Sequence, residues 1–195
     1  MDTEKPNGGK DTRALLIQAG LEELNEYGIA HFSSRRVAKK CGVSSAAPYK
    51  HFKDVDAFIV AILENIIEKY DTRLENVLKT YADCDTGRQL VEVALDYIRF
   101  LTEYPEFRRV IMQNYRFSDQ KFQDLWRNIT IQLYRVAARY SRDVNMSPVM
   151  RKRKTFMIRS IIYGAALFFD QGTMPCSEES MDMVKAMLER EFDLP

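Results

Sequence analysis

Between Tyr27 and Lys53 the chain carries no acid, yet the same stretch holds Arg35, Arg36, Lys39, Lys40, Lys50 and Lys53. Ser33, Ser44, Ser45, Tyr49 and His51, whose side chains donate to oxygen, are interleaved with them. Cations and donors at this density suit the phosphates of a polyanion: cations supply affinity, and hydroxyls and amides fix orientation. The bias is local, because residues 54–195 hold 20 bases against 22 acids and the whole chain carries only +1. Lys50 and Lys53 are the leading phosphate cations, and Tyr49 and His51 can donate to phosphate oxygens. Ser33 and Ser44 stand where they would cap helices, and the backbone N–H groups behind a cap can also hold a phosphate. Reading of base edges falls to Ser45, Ala46 and Ala47, with Arg36 or Lys50. Alanine offers only a methyl contact, for instance to thymine, so DNA shape must carry part of any discrimination.

Other chemistries find no support. The two histidines, His31 and His51, and the three cysteines, Cys41, Cys84 and Cys176, form no set at metal-ligand spacing. No nucleophile elbow, dinucleotide-binding glycine motif or Walker lysine occurs. Neither catalysis nor a cofactor is expected. An odd number of scattered cysteines implies no disulfide framework and points to the cytoplasm. The apolar run from Ser160 to Phe169 is too short to span a bilayer, which takes about 20 residues. The basic run Arg151-Lys152-Arg153-Lys154 reads as a solvated helix face.

These side chains need a helical frame. With 8 Gly and 6 Pro in 195 residues, and no proline between Pro48 and Pro105, breakers are scarce. Apolar spacing predicts a helix over 11–27, closed by Gly28. Two short helices follow: one after Ser33 or Ser34, and one capped by Ser44, joined at Cys41-Gly42-Val43. A tight turn containing glycine between short helices is the mark of a helix-turn-helix. Asp54 caps a long helix to about Lys79, the one element expected to touch both halves of the molecule. Five more helices are expected, over about 88–102, 105–114, 118–142, 148–170 and 178–192. No segment alternates with the period of a strand.

Over about residues 11–63 the chain resembles the TetR family of bacterial repressors. Arg35, Val37-Ala38, Gly42-Val43-Ser44, Tyr49 and His51-Phe52 carry the likeness, supported by Arg13, Leu16, Ala19 and Gly28. Two positions depart from the family pattern. Ala46-Ala47-Pro48 stands where a hydroxyl residue and an aliphatic usually precede the tyrosine, and Val55 replaces a common phosphate-contacting lysine.

The resemblance implies an all-α protein in four parts. The polar residues 1–10, with Pro6, Gly8 and Gly9, are expected from composition to be a disordered arm, and 11–54 a three-helix DNA-binding domain. A connector covers about 55–79, and 80–195 form a helical domain for effector binding and dimerisation. It also implies a repressor that binds a two-fold DNA operator as a homodimer and is released by a small molecule. Tyr97, Phe100, Met112, Tyr115, Trp126 and Tyr134 are the candidate pocket residues. None of these six is charged, so an apolar or aromatic ligand is expected. The helices around Ile158–Phe169 and Met181–Leu188, with Gly164, Ala165, Ala166, Met183 and Met187, are the expected dimer surface. The rival reading is an all-α carrier or enzyme whose basic stretch is incidental.

Overall fold

The computed structural model describes residues 10–112 and 134–192, and every regular element among them is helical. The N-terminal unit comprises α1 (Lys10–Tyr27), a 3-10 turn (Ile29–His31), α2 (Ser34–Lys40) and α3 (Ala47–His51). The connector α4 (Val55–Thr80) leads to α5 (Thr86–Glu103) and α6 (Pro105–Met112). Residues 134–143 are helical and are called α7; α8 (Pro148–Asp170) and α9 (Glu178–Glu191) complete the chain.

Local chemistry sets most boundaries. Asp54 accepts a hydrogen bond from the Ala57 amide and starts α4, and Asp85, Ser147 and Ser177 do the same for α5, α8 and α9. Pro148 occupies the first turn of α8, where its missing N–H costs nothing. Gln89 is buried, and its amide nitrogen donates to the carbonyls of Tyr81 and Cys84, which fixes the turn between α4 and α5.

Helix α1 lies across α4 because Gly20 permits it. A Cβ at that position would sit 2.6 Å from Ile62 Cδ1. Leu16, Leu24, Val37, Phe58 and Ile62 form the small core beneath the basic stretch. Phe52 stacks on Phe58 at 4.1 Å and 7°, and Phe32 meets Phe58 edge-on at 5.3 Å. These rings join the end of α3 to the start of α4.

Helix α5 is the centre of the second half and packs against α4, α8 and α9. Its inner face carries Val91, Leu95, Ile98 and Leu101, all buried. The connector is not the only route between the halves, as the sequence suggests, because α6 also packs on α1. There Glu106 is buried close to Gly28, and two residues on Arg108, only 2% exposed, donates to the Ala166 carbonyl at 2.7 Å and pairs with Asp170. Helix α6 thus bears on the N-terminal unit and on the end of α8 at once.

Candidate nucleic-acid interface

Helices α2 and α3 are short and are held in place by a few polar bonds. Ser33 caps α2 by accepting from the Arg36 amide at 3.4 Å, while its own amide donates to Glu23 on α1 at 3.1 Å. Cys41 and Gly42 turn the chain, and Gly42 at φ +68° occupies the left-handed region that glycine enters without strain. The Val43 amide returns to the Ala38 carbonyl at 3.0 Å. Ser34, which is buried, shares a hydrogen bond with the Tyr49 hydroxyl at 3.2 Å, and this fixes α3 against α2.

The start of α3 differs from expectation. Ser44 is not its N-cap. The Ala47 amide closes a turn on the Ser44 backbone carbonyl at 2.9 Å, and α3 begins at Ala47 with Ala46 as an N-cap that makes no side-chain bond. The backbone turn already satisfies the amide that a capping hydroxyl would serve. The Ser44 side chain is left exposed beside the exposed Ser45 and Ala46.

Pro48 and Phe52, four residues apart, point into the core. The opposite side of the loop and α3 presents Ser44, Ser45, Ala46, Tyr49, Lys50 and Lys53 to solvent, with Ala47 and His51 partly covered. Tyr49 is 54% exposed even though its hydroxyl is engaged. A proline in so short a helix helps this face, because it stiffens the backbone and fills the inward position.

The six bases of the acid-free stretch divide into two groups. Arg36 is turned back on α1. Its Nε donates to the buried carboxylate of Glu23 at 2.7 Å, its other arm donates to the His31 carbonyl at 2.6 Å, and the guanidinium lies 4.2 Å from the Tyr27 ring centroid. Glu23, with its hydrogen bond ahead of its charge, holds the guanidinium more firmly protonated. In the free protein this arginine, 46% exposed, joins α1 to α2. Lys40 is likewise paired, with Glu22. Arg35, Lys39, Lys50 and Lys53 are exposed and carry no partner among the described residues. Two acids of α1, Glu23 and Glu22, are engaged by the two paired bases. The open face is therefore left positive.

Of the predicted ligand set, the side chains of Tyr97, Phe100 and Tyr134 are among the described residues. Tyr97 and Phe100 are both buried on α5, in an aromatic cluster with Tyr70, Tyr104 and Phe107. Tyr134 is 54% exposed on α7. The side chain of Met112, and Tyr115 and Trp126, lie outside the described residues. An open cleft of about 890 Å³ sits at the far end of the molecule from α3, between Cys84, Tyr140, Met146, Met150, Lys154 and Phe192, and neither Tyr97, Phe100 nor Tyr134 lines it. No group of three potential metal ligands occurs among the described residues. No described helix is long and apolar enough to cross a membrane.

The outer surface of α8 and α9 bears Val149, Phe156, Phe168, Met183 and Met187, which are 70%, 73%, 48%, 47% and 54% exposed. Gly164 lies on the same side of α8, with open space where a Cβ would stand. Ala165 and Ala166 do not belong to this surface, because both pack inward and Ala166 is fully buried.

Residues 16–62 match the family model described as bacterial regulatory proteins, tetR family. An uncharacterised HTH-type transcriptional regulator of Mycobacterium tuberculosis is 29% identical over 93 residues, 48% of this chain and 46% of the relative. An HTH-type transcriptional regulator of Staphylococcus aureus is 22% identical over 89 residues, 46% of either chain. The chain thus spans about half the length of the curated relatives it matches. Among solved structures, a protein of unknown function from Rhodococcus sp. RHA1 superposes with a TM-score of 0.80 at 20% identity, covering 97% of this chain and 98% of that one. A TetR family transcription regulator from Marinobacter aquaeolei VT8 gives 0.67 at 18% identity, covering 92% and 94%. One from Haloarcula marismortui gives 0.70 at 20%, covering 95% and 98%. At these identities the superpositions establish a shared fold.

Proposed function

We propose, on the premise that residues 16–62 belong to the tetR family of bacterial regulatory proteins, that the whole protein is a transcriptional regulator that grips duplex DNA with α3 and the loop before it. The observation that carries this reading is the division of the basic residues. Arg36 and Lys40 pair with Glu23 and Glu22 of α1, whereas Arg35, Lys39, Lys50 and Lys53 face solvent with no partner among the described residues, around exposed Ser44, Ser45, Ala46 and Tyr49. An enzyme or carrier with an incidental basic patch has no need of that arrangement, and the matched relatives are regulators.

In the proposed complex Lys50 and Lys53 contact phosphates, and Tyr49, set by Ser34, donates its hydroxyl proton to a phosphate oxygen. Ser44 and Ser45 stand nearest to base edges. A helix of five residues covers few base pairs, so a tight specific complex calls for two copies on a two-fold site. The exposed apolar residues of α8 and α9 supply the surface for a homodimer. The helical second half takes a small effector whose binding favours a spacing of the two α3 helices that does not fit DNA.

Anisotropy titration of a labelled duplex at several salt concentrations tests the reading. Affinity should fall steeply with salt, and the slope should decrease by about one per half-site in Lys53→Ala. A salt-independent affinity, or no binding at low salt, would overturn it.

A further inference from the structure

The start of α8 carries charge of the wrong sign for its position. Arg151, Lys152, Arg153 and Lys154 follow Pro148, and no acid stands in the first turn, although the free amides of a helix start favour anions. Lys154 is engaged, donating to the Glu191 carbonyl at the end of α9. Arg151, Lys152 and Arg153 are exposed and have no partner among the described residues. Nothing described in the protomer offsets their placement.

The charge is also sorted along the chain. From Val144 to Phe169 there is no acid, and from Ser160 to Val184 there is no base. The bond from Lys154 to Glu191 and the short link between α8 and α9 set these two helices antiparallel, so the start of α9 lies beside the end of α8. There Asp170 is paired with Arg108, but Glu178, Glu179 and Asp182 are exposed and without a partner among the described residues. Glu178 and Glu179 also suit the first turn of α9, whereas Asp182 lies beyond it. At the opposite end Glu189 is paired with Arg88, and Arg190 and Glu191 offset one another, which leaves Lys152 and Arg153 in excess. The 17 residues from Arg153 to Asp170 span about 25 Å of helix, roughly three screening lengths at physiological salt. The two ends therefore do not neutralise each other within one protomer.

Both charged ends border the exposed apolar surface. Lys152 and Arg153 stand four and three residues before Phe156, on the outer side of α8, and Glu179 stands four residues before Met183, on the outer side of α9. We infer that this surface is covered by a second copy of the chain set antiparallel to the first, with Lys152 and Arg153 of each protomer facing Glu179 and Asp182 of its partner. The inference rests on the homodimer proposed above and adds what fixes its direction and its choice of partner. A two-fold axis crossing α8 near Ser160 and Gly164, midway between the ends, brings a basic start onto an acidic corner twice in each dimer. Parallel pairing would set base on base and acid on acid. A relative that lacks the sorted charge meets like charge, or none, at one end or both, so the pattern favours an identical chain.

Sedimentation equilibrium of the full chain in low and high salt tests this with three variants. The parent should dimerise, and less tightly in high salt. Lys152→Glu with Arg153→Glu makes both ends acidic, and Glu179→Lys with Asp182→Lys makes both ends basic. Each pair of changes should raise the dimer dissociation constant at least about tenfold. Mixed in equal amounts, these two variants should form a heterodimer. The chain with all four changes has its ends exchanged, and it should dimerise like the parent while refusing to exchange subunits with it. Circular dichroism should match the parent throughout, because all four residues are exposed. If the double variants dimerise as tightly as the parent, the charges lie outside the interface, and this inference falls while the homodimer stands. If the fourfold variant stays monomeric with a native spectrum, the antiparallel setting is wrong. A parent that is monomeric at micromolar concentration would bring down the homodimer and this inference together.

Discussion

The Nε of Arg36 donates to Glu23 at 2.7 Å, across the crossing of α2 on α1. Glu23 also accepts the Ser33 amide at 3.1 Å, so one buried carboxylate holds both the cap of α2 and its first turn. The positions of α2 and α3 thus depend on an acid outside the basic stretch. Glu23→Ala removes a nearly buried acceptor from two donors and should cost about 2–3 kcal/mol. At about 2–4 °C per kcal/mol for a chain of this size, melting followed by circular dichroism resolves that loss. DNA affinity should fall with it, because the face is no longer held. A melting curve identical to the parent's would show that the pair does not organise the module.

Lys50→Ala and Lys53→Ala should behave in the opposite way. Neither lysine has a partner among the described residues, so melting should stay within about 0.5 kcal/mol of the parent. Affinity should drop for specific and random duplexes alike. Lys40→Ala is the internal control, since Lys40 is already paired with Glu22 and should alter the salt slope less. Anisotropy on two unrelated duplexes compares the three variants directly, and a larger loss for Lys40 than for Lys53 would reverse the proposed division of the bases.

How far the sequence reveals this molecule depends on the range of each interaction. Asp54, Ser147 and Ser177 are legible as caps because the bond they make lies three residues away. Gly28 and Gly42 are legible for the same reason. The fate of Arg36 is not, since its partner stands 13 residues back and is brought in only by the crossing of two helices. Ser44 looks like a cap because a hydroxyl before a helix usually is one; here a backbone turn meets the need first. Small residues on α8 give no sign of which way they face, so Ala166 reads like Gly164 although one is buried and the other open. Nothing in the sequence singles out Arg108, and only its bonds to Ala166 and Asp170 on α8 show it to be buried.

The buried guanidinium of Arg108 is the clearest stability determinant in the second half. It donates to the Ala166 carbonyl at 2.7 Å and pairs with Asp170, tying α6 to the end of α8. Arg108→Ala leaves a cavity, an unpaired carbonyl and a partly buried carboxylate, and should cost about 3–5 kcal/mol. Arg108→Met keeps the volume and should recover part of that. Urea denaturation of the two variants measures the difference; an Ala variant as stable as the Met variant would mean that packing adds nothing there, and a Met variant as stable as the parent would mean that packing alone carries the site.

Asp71 gives a pH signature. Burial first, then the nearby charges of Glu75 and Glu68, raise its carboxyl above the ordinary value. The folded state therefore binds this proton more tightly than the unfolded chain. The ionised group opposes folding at neutral pH, and its penalty fades as pH falls through the raised folded value. Asp71→Asn should raise stability at neutral pH, and the gain should shrink as pH falls through the raised folded value and vanish only below the unfolded value of about 4, where the carboxyl is protonated in either state. Denaturation at a series of pH values follows the difference. A gain that grows on acidification would show that Asp71 is stabilised as the carboxylate.

The last prediction separates assembly from folding. Val149, Phe156, Gly164 and Phe168 recur along α8 at spacings of seven, eight and four residues, which keeps them on one side of the helix, with Met183 and Met187 beside them on α9. Phe156, 73% exposed, is too large and apolar to be left in water without consequence, and it can be changed without disturbing the core. Phe156→Glu should leave circular dichroism unchanged and shift the chain to monomer in sedimentation. Gly164→Arg should do the same, because its Cβ meets open space in the protomer but in the proposed dimer the side chain would stand between the two subunits. Ala166→Arg tests something else. It drives a charge into a fully buried position beside Arg108 and should unfold the second half, whatever the oligomeric state. DNA affinity of the two monomeric variants should fall steeply on a two-fold site and little on a single half-site, because only the former uses both copies of α3. A dimer that persists in both Phe156→Glu and Gly164→Arg would move the interface away from this surface of α8.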